Sequence, residues 1–407
     1  MNIWIVVINE PIWIDSINER LHRCGLLADV CVSRDHEVSF FTSSFAHHKK
    51  KNRVDFTTIQ KLQSGINLHL LFSGSYSTNL SLQRLKHHYK CGKEFIKHSK
   101  TLDKPDVIFC AYPDIFLSNE VINYGLKNNI PVVIDIRDLW PDTFLHQNAI
   151  FIKKILFKPL VVILDFFTKK IFRNATALTG ITPSILNWAQ EKVKRKSRIN
   201  DCFFPLAYPM KEKKSDIVFW EKLLAERISS KIVCFFGNLG LQFDFQDIFK
   251  FSNQHNEYTF VICGSGDRLS EYRKKYASQR VIFPGWVDHE KILGLMQLSK
   301  AAIAPYKNSF DFQMSIPNKI VEYIYGGVPI VTSLDGDVKN LIEKKRLGFY
   351  YKQGDLLELK NALESCSDNI EGIKLKAKKV CKELFDFDKT YNELAKKLES
   401  LGSRIVY

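Results

Sequence analysis

Apolar and polar positions follow two spacings along this chain. Short continuous apolar runs alternate with longer segments whose apolar residues fall three and four apart. That alternation predicts βαβ units built around parallel sheets. In the first half the runs are Ile3–Ile8, Glu37–Phe41, Val107–Cys110, Pro131–Ile136 and Ala177–Gly180. A second series opens at Lys231–Phe236 and continues with Thr259–Cys263, Val281–Phe283, Ala301–Ala304 and Pro329–Thr332. The restart predicts two doubly wound α/β domains, 1–205 and 206–385, joined near the Pro-punctuated Phe204–Pro209. A length of 407 residues agrees, because a single hydrophobic core stops growing well before that size. Leu394, Leu398 and Leu401 share one helical face, so a last helix over about 386–407 is expected to pack back onto the first domain. Residues 47–65, rich in His, Lys and polar side chains, read as a mobile loop.

Met1 leads directly into the first apolar run, with no basic n-region and no small-residue cleavage site, so the run reads as a buried strand. Nine cysteines carry neither a C-x-x-C pair nor zinc-ligand spacing; they read as reduced thiols, mostly small buried hydrophobes, in a cytoplasmic protein. The net charge of +15 is uneven. Residues 1–200 hold 28 Lys and Arg against 17 Asp and Glu, and the remainder 31 against 27. Residues 151–200 alone hold 11 against 2. A basic first half calls for a polyanion: membrane phosphate, nucleic acid or a diphosphate-linked substrate.

Candidate chemistry concentrates in the second half. In Ser315–Tyr323, followed by Gly326–Val331, Ser315 stands where a capping hydroxyl belongs and Pro317 fits a first helical turn. Such a helix start offers free N–H groups and a positive dipole end to a diphosphate. Lys319 and Glu322, three apart, share its face, and Glu322 lies far enough along the axis to meet a ribose diol. Gly237-Asn238-Leu239-Gly240 and Gly264-Ser265-Gly266-Asp267 each follow an apolar run, where glycine lets backbone amides approach phosphate. Neither is a complete dinucleotide fingerprint.

In this order, and with Phe283-Pro284-Gly285-Trp286-Val287 between, these motifs resemble the donor domain of the family-4 retaining glycosyltransferases of the GT-B fold. The first half is similar to a bacterial branch of that family that builds O-antigen and capsule repeat units. The stretches concerned are Arg20–Ala28, His36–Val38, Thr42–His47 and Val133–Asp142. The resemblance implies two Rossmann-like domains facing a central cleft. It implies a nucleotide-sugar donor, expected to be UDP-linked, and no other cofactor. Glu322 would hold the donor ribose; the backbone around Ser315, Ile316, Pro317 and Asn318 would hold the diphosphate. Gly237, Asn238, Gly240 and Gly264 would meet it from the other side. Arg137 and Asp138, at the end of a first-domain strand, would touch donor sugar or acceptor, and Lys319 or Arg137 would balance diphosphate charge. The implied acceptor is a polyprenyl-diphosphate-linked saccharide at the inner face of the cytoplasmic membrane.

The sequence departs from the family at three places. Met314 stands where the first glutamate of the paired-glutamate motif belongs; Leu241–Phe245 offers no basic pair; and Glu10–Asp15 replaces a glycine pair. Transfer is expected to need no metal, since Asp335-Gly336-Asp337 follows the last predicted strand and reads as a turn cap. The segment 151–172 mixes lysines with bulky apolar residues and suits either a helix on an anionic membrane surface or an ordinary core helix. His47, His48, His87 and His88 read as solvated side chains rather than metal ligands. A nucleotide-sugar epimerase of the same fold is the rival enzyme. A nucleic-acid-binding protein using the basic run Lys192–Arg198 is the non-enzymatic rival, and that run lacks interleaved aromatic residues.

Overall fold

The computed structural model describes residues 1–16, 19–78, 81–146, 151–209 and 214–403, with backbone only at 145–146, 151–157 and 228. The chain divides into two units: Met1–Pro205 with Phe387–Tyr407, and Leu206–Asp386.

Unit 1 is built on β1 (Asn2–Val6), β2 (Glu37–Ser43), β3 (Thr58–Lys61), β4 (Asn67–Leu71), β5 (Val107–Tyr112), β6 (Val132–Ile136), β7 (Ala177–Gly180) and β8 (Cys202–Phe203). Their order is β8-β7-β6-β5-β1-β2-β4-β3, parallel throughout except for β3 against β4. The connecting helices include α1 (Arg23–Ser33), α2 (Leu82–Ser99), α3 (Ile115–Asn128), α4 (Phe151–Asn174) and α5 (Pro183–Lys192). Helices cover both faces of such a sheet, so all of β5 and β6 is buried and the apolar runs are continuous. The last helix, Phe387–Gly402, buries Leu394, Leu398 and Leu401 and packs on α1 and β5. Arg34 forks onto its Glu399 at 2.7 and 2.9 Å, and His36 reaches the same carboxylate at 2.8 Å.

Residues 47–65 are not one loop. Lys51–Asn52 pairs antiparallel with Phe45–Ala46, and β3 forms the sheet edge. An edge strand has little to bury, so Thr58-Ile59-Gln60-Lys61 shows no apolar run. In β4 the run is broken by His69, which is buried, stacked on Phe41 at 4.3 Å and bonded to His98 at 3.0 Å.

The basic run at 192–198 also has an internal explanation. Arg195 forks onto Asp201 at 2.7 and 3.0 Å and donates to the carbonyls of Phe172 and Ala175. Lys192 lies 2.6 Å from Asp142 and 2.7 Å from Asp165. Much of this charge therefore holds α4, α5 and the approach to β8 together instead of facing a polyanion.

Unit 2 comprises β9 (Lys231–Phe236), β10 (Tyr258–Cys263), β11 (Val281–Gly285), β12 (Ala301–Ala304), β13 (Ile330–Thr332) and β14 (Gly348–Tyr350). The order is β11-β10-β9-β12-β13-β14, all parallel. The strand order reverses between β9 and β12, and ligands of open α/β sheets bind beyond the carboxyl ends at such a point. Across both units the nine cysteines are free thiols, seven of them buried. Burial pushes the Cys31 thiol up to about 12, which leaves it a protonated hydrophobe.

Candidate functional site

The site in unit 2 grows from the two strands at the reversal. Strand β9 is followed by Gly237 with φ 145°, and its neighbour β10 by Gly264 with φ 135°. Both angles are readily reached only by glycine. The turns interlock: Gly237 N donates to Cys263 O at 3.1 Å, and Leu239 N to Ser265 O at 2.6 Å. A Cβ on Gly264 would fall on the carbonyl oxygen of Gly237, and one on Gly266 would fall on Asn238 Oδ1. Gly240 is not so constrained, since a Cβ there meets only the flexible Gln242 side chain.

From the other side of the reversal, β12 leads through residues 305–317 into α6 (Asn318–Gly326). This helix buries Ile320, Val321, Tyr323 and Ile324, and Tyr323 Oη donates to Ile303 O at 3.0 Å, pinning it to β12. It ends at Gly327, φ 66°, whose N–H and that of Val328 satisfy the last carbonyls. Lys319, only 9% exposed, points back to the end of β9 and donates to Phe236 O. Its ammonium lies 4.7 Å from the Phe235 ring centroid and 5.5 Å from that of Phe243, within cation–π range. A Cβ on Gly237 would collide with this ammonium, so glycine there is also what admits the lysine beneath the turn. Glu322 is half-buried one turn on. Burial first, and the Glu322 carboxylate second, raise the Tyr306 hydroxyl above its ordinary value.

Two sequence expectations are corrected here. The residue at the helix N-cap is Pro317, extended at φ −60° and ψ 148°, and no side chain caps the helix. Ser315 Oγ instead donates to Phe312 O at 3.4 Å. The first helical residue is Asn318, so Pro317 precedes the first turn. Ile316 packs against the core of unit 2, and Met314 caps the one-turn helix Phe310–Gln313. A residue absent from the sequence reading is Lys307, whose N–H donates to Gln242 O at 3.0 Å beside a Phe243–Tyr306 bridge. The bridge sets a lysine next to the stretch that lacks the basic pair, and only the fold makes this visible.

In unit 1, Arg137 and Asp138 follow β6 as expected, but their partners differ. Arg137 Nε donates to Asp135 at 2.7 Å, Nη1 reaches Glu10, and Nη2 lies 3.0 Å from Cys24 Sγ. Its charge is matched inside the unit, which argues against its serving a donor diphosphate. Glu10 also accepts from Cys24 N at 3.0 Å, so the chain's own carboxylate occupies the start of α1. Asp138 accepts from Leu139 N at 2.7 Å and Thr143 Oγ1 at 3.3 Å. His87 and His88 are buried, not solvated: His87 bonds to Ser73 Oγ and Gly74 O, and His88 faces Asp114 at 3.5 Å. Among the described residues no group of three or more His, Cys, Asp or Glu could hold a metal ion. Asp337 opens the helix Asp337–Lys345, and Asp335 N donates to Asn308 Oδ1 at 2.7 Å.

Helix α4 buries Val161, Leu164, Thr168, Ile171 and Phe172, and leaves Val162, Ile163 and Phe166 exposed. Lys169 pairs with Asp165 at 2.7 Å and Lys170 donates to Asn123 at 2.9 Å, while the side chains of Lys153 and Lys154 lie outside the described residues. Among the described residues, no helix is long and apolar enough to cross a membrane.

Residues 230–369 match the family described as Glycosyl transferases group 1. No curated protein matches the sequence significantly. Among solved structures, a sucrose-phosphate synthase from Thermosynechococcus elongatus superposes with a TM-score of 0.75 at 13% identity, covering 99% of each chain. Anabaena Alr3699/HepE, solved in complex with UDP, gives 0.65 at 15% identity over 98% of this chain and 100% of that one. WaaG, a glycosyltransferase involved in lipopolysaccharide biosynthesis, gives 0.65 at 11% identity over 97% and 99%. The fold is GT-B, two Rossmann-like units, and the match to the glycosyl transferases group 1 family falls within the second.

Proposed function

We propose that this protein transfers a sugar from a nucleotide diphosphate, UDP-linked, to a lipid-linked or growing surface-polysaccharide acceptor with retention of configuration. The observation that carries the reading is the meeting of the Gly237 turn, the Lys319 ammonium and the start of α6 at the strand reversal of unit 2. A sugar leaving a diphosphate gains oxocarbenium character while negative charge builds on the leaving oxygens. Backbone amides of Asn318 and Lys319 at the start of α6 are fixed donors for that charge, and fixed donors need no reorganisation as it develops. Lys319 adds a cation and Lys307 a second, so the diphosphate is met without a metal. Glu322 holds the ribose diol one turn along the helix. Direct front-face transfer suits a site with no second carboxylate at Met314. A panel of nucleotide sugars read by thermal shift tests this, because a matched donor stabilises the fold by mass action. A UDP-sugar should raise the midpoint with or without EDTA. No shift with any nucleotide sugar, or a shift abolished by EDTA and restored by manganese, would defeat the reading.

The acceptor is proposed to be a polyprenyl-diphosphate saccharide reached at the inner face of the cytoplasmic membrane. Support comes from the exposed Val162, Ile163 and Phe166 of α4, with Lys158 and Arg173 exposed on the same helix. Replacing Val162, Ile163 and Phe166 with Ser should cut sedimentation with anionic vesicles at least about tenfold, since each buried apolar side chain contributes roughly 1.5–3 kcal/mol. UDP affinity should not change. A triple variant that sediments as the parent does returns α4 to a soluble surface.

A further inference from the structure

Where the edge strand β14 of unit 2 ends, a cavity of about 770 Å³ opens that the donor site does not use. Ligand pockets run to roughly 300–1,000 Å³, so the size suits a small molecule. Phe349 and Tyr350 of β14, both half-buried, supply its aromatic lining. The helix Leu356–Asp368 turns Leu359, Leu363 and Cys366 into the core. Its next face, Glu358, Asn361, Ala362 and Ser365 at spacings of three and four, lines the cavity. Ala362 is small, which leaves the room.

Most polar groups of this lining are held from behind, so they are in place before any ligand arrives. Asn308 donates to Ser333 O and accepts from Asp335 N, both at 2.7 Å. Gln353 Nε2 donates to Asp244 at 2.9 Å, and Glu358 Oε2 accepts from Lys352 N at 2.7 Å. Lys339 lies 3.8 Å from the Tyr350 ring centroid and 3.5 Å from Asp335 Oδ1. The Asn361 amide and the Ser365 hydroxyl, one turn apart, have no side-chain partner among the described residues. Two lysines, Lys339 and Lys352, face two carboxylates, Asp335 and Glu358, so the lining carries no net charge. That balance does not suit a diphosphate or an acidic sugar. Amides, a hydroxyl and carboxylate oxygens beside aromatic carbon instead match a pyranose, whose hydroxyls both donate and accept. The turn at Gly336, φ 82°, packs on Gln313 O, where a Cβ would collide. Gln313 and Asn308 both lie on the link that leads into α6, so cavity and donor site share one segment.

We infer that this cavity binds a neutral pyranose, a unit of the saccharide that the protein extends. That the pyranose belongs to the extended saccharide rests on the transferase reading; its binding does not. The full chain is saturated with UDP to fill the nucleotide site of unit 2. Methyl α- and β-glycosides of glucose, galactose, mannose, rhamnose and N-acetylglucosamine are then titrated, with glucuronate as the charged comparison. Binding is read by saturation-transfer NMR.

At least one neutral glycoside should bind the parent, more tightly than glucuronate does. Its affinity should fall about tenfold in the double variant Asn361→Ala/Ser365→Ala, as the loss of two neutral hydrogen bonds requires. Gln353→Ala, in the loop rather than the helix, should weaken it about threefold. UDP affinity should be unchanged in both variants, which also shows that they are folded. Binding of no neutral glycoside up to about 50 mM, where even a millimolar site would register, overturns the inference. So does glucuronate binding ahead of every neutral glycoside, or equal binding by parent and variants. Failure of UDP to bind while the glycoside effect persists would count against the donor reading and leave this site standing.

Discussion

Asp135→Ala is expected to destabilise unit 1 by about 3–5 kcal/mol, the cost of leaving a buried charge without its partner. Asp135 is fully buried and accepts from Arg23 Nε at 2.9 Å, Arg23 Nη2 at 3.1 Å, Arg137 Nε at 2.7 Å and Thr179 Oγ1 at 2.7 Å. Burial alone would raise its pKa; the two guanidinium groups more than offset this and hold it below the usual carboxylate range. Truncation leaves Arg23, 2% exposed, with only Pro205 O at 3.2 Å among these bonds. The unit 1 transition in urea should therefore move to much lower denaturant. Asp135→Leu combined with Arg23→Met should recover part of the loss, because apolar replacement of a buried pair is often tolerated. A shift of the single variant within about 0.5 kcal/mol of the parent, the range of an ordinary surface substitution, would contradict the network's role.

Gly264→Ala should weaken UDP binding about a hundredfold, the largest effect expected at the donor site. The substitution meets two obstacles: a φ of 135° that costs a side-chain-bearing residue on the order of 1–3 kcal/mol, and a Cβ that would fall on Gly237 O. The obstructing atom is backbone, so the Gly237 turn must move, and with it the amides and the roof above Lys319. Gly240→Ala is the control. Its Cβ meets only the end of the Gln242 side chain, so UDP affinity should stay within about threefold, less than 1 kcal/mol. Calorimetry giving equal UDP affinity for Gly264→Ala and parent, in a folded protein, would mean that the interlocked turns do not build the site.

The contrast between these glycines shows what was legible in the sequence. Both stood out as glycines after apolar runs, but which one bears on the site depends on the neighbouring strand, which no local pattern reports. Buried parallel strands such as β5 and β9 read clearly because both faces are covered and every position is apolar. The edges β3 and β14 did not, and β4 was hidden by His69, whose polarity is met by His98 of helix α2. At the site, the segment 315–323 was found by its residues, yet its cap was misplaced by two positions because Pro317 itself takes the extended cap geometry. Arg137 looked available since its partner Glu10 is 127 residues away in the chain. His87 and His88 looked solvated because the Ser73 and Asp114 that satisfy them come from other elements. Long-range polar pairing is the common factor in what was missed.

The central claim, that unit 2 holds a nucleoside diphosphate with Glu322 on its ribose, is tested most directly by calorimetric titration of UDP. The parent should bind one UDP per chain. Glu322→Ala, on the half-buried side of a helix otherwise anchored by Ile320, Tyr323 and Ile324, should fold as the parent does. It should bind UDP about tenfold or more weakly, the loss expected for a pair of hydrogen bonds to a charged group. No heat from UDP with the parent, or an unchanged affinity in the folded Glu322→Ala variant, would contradict it.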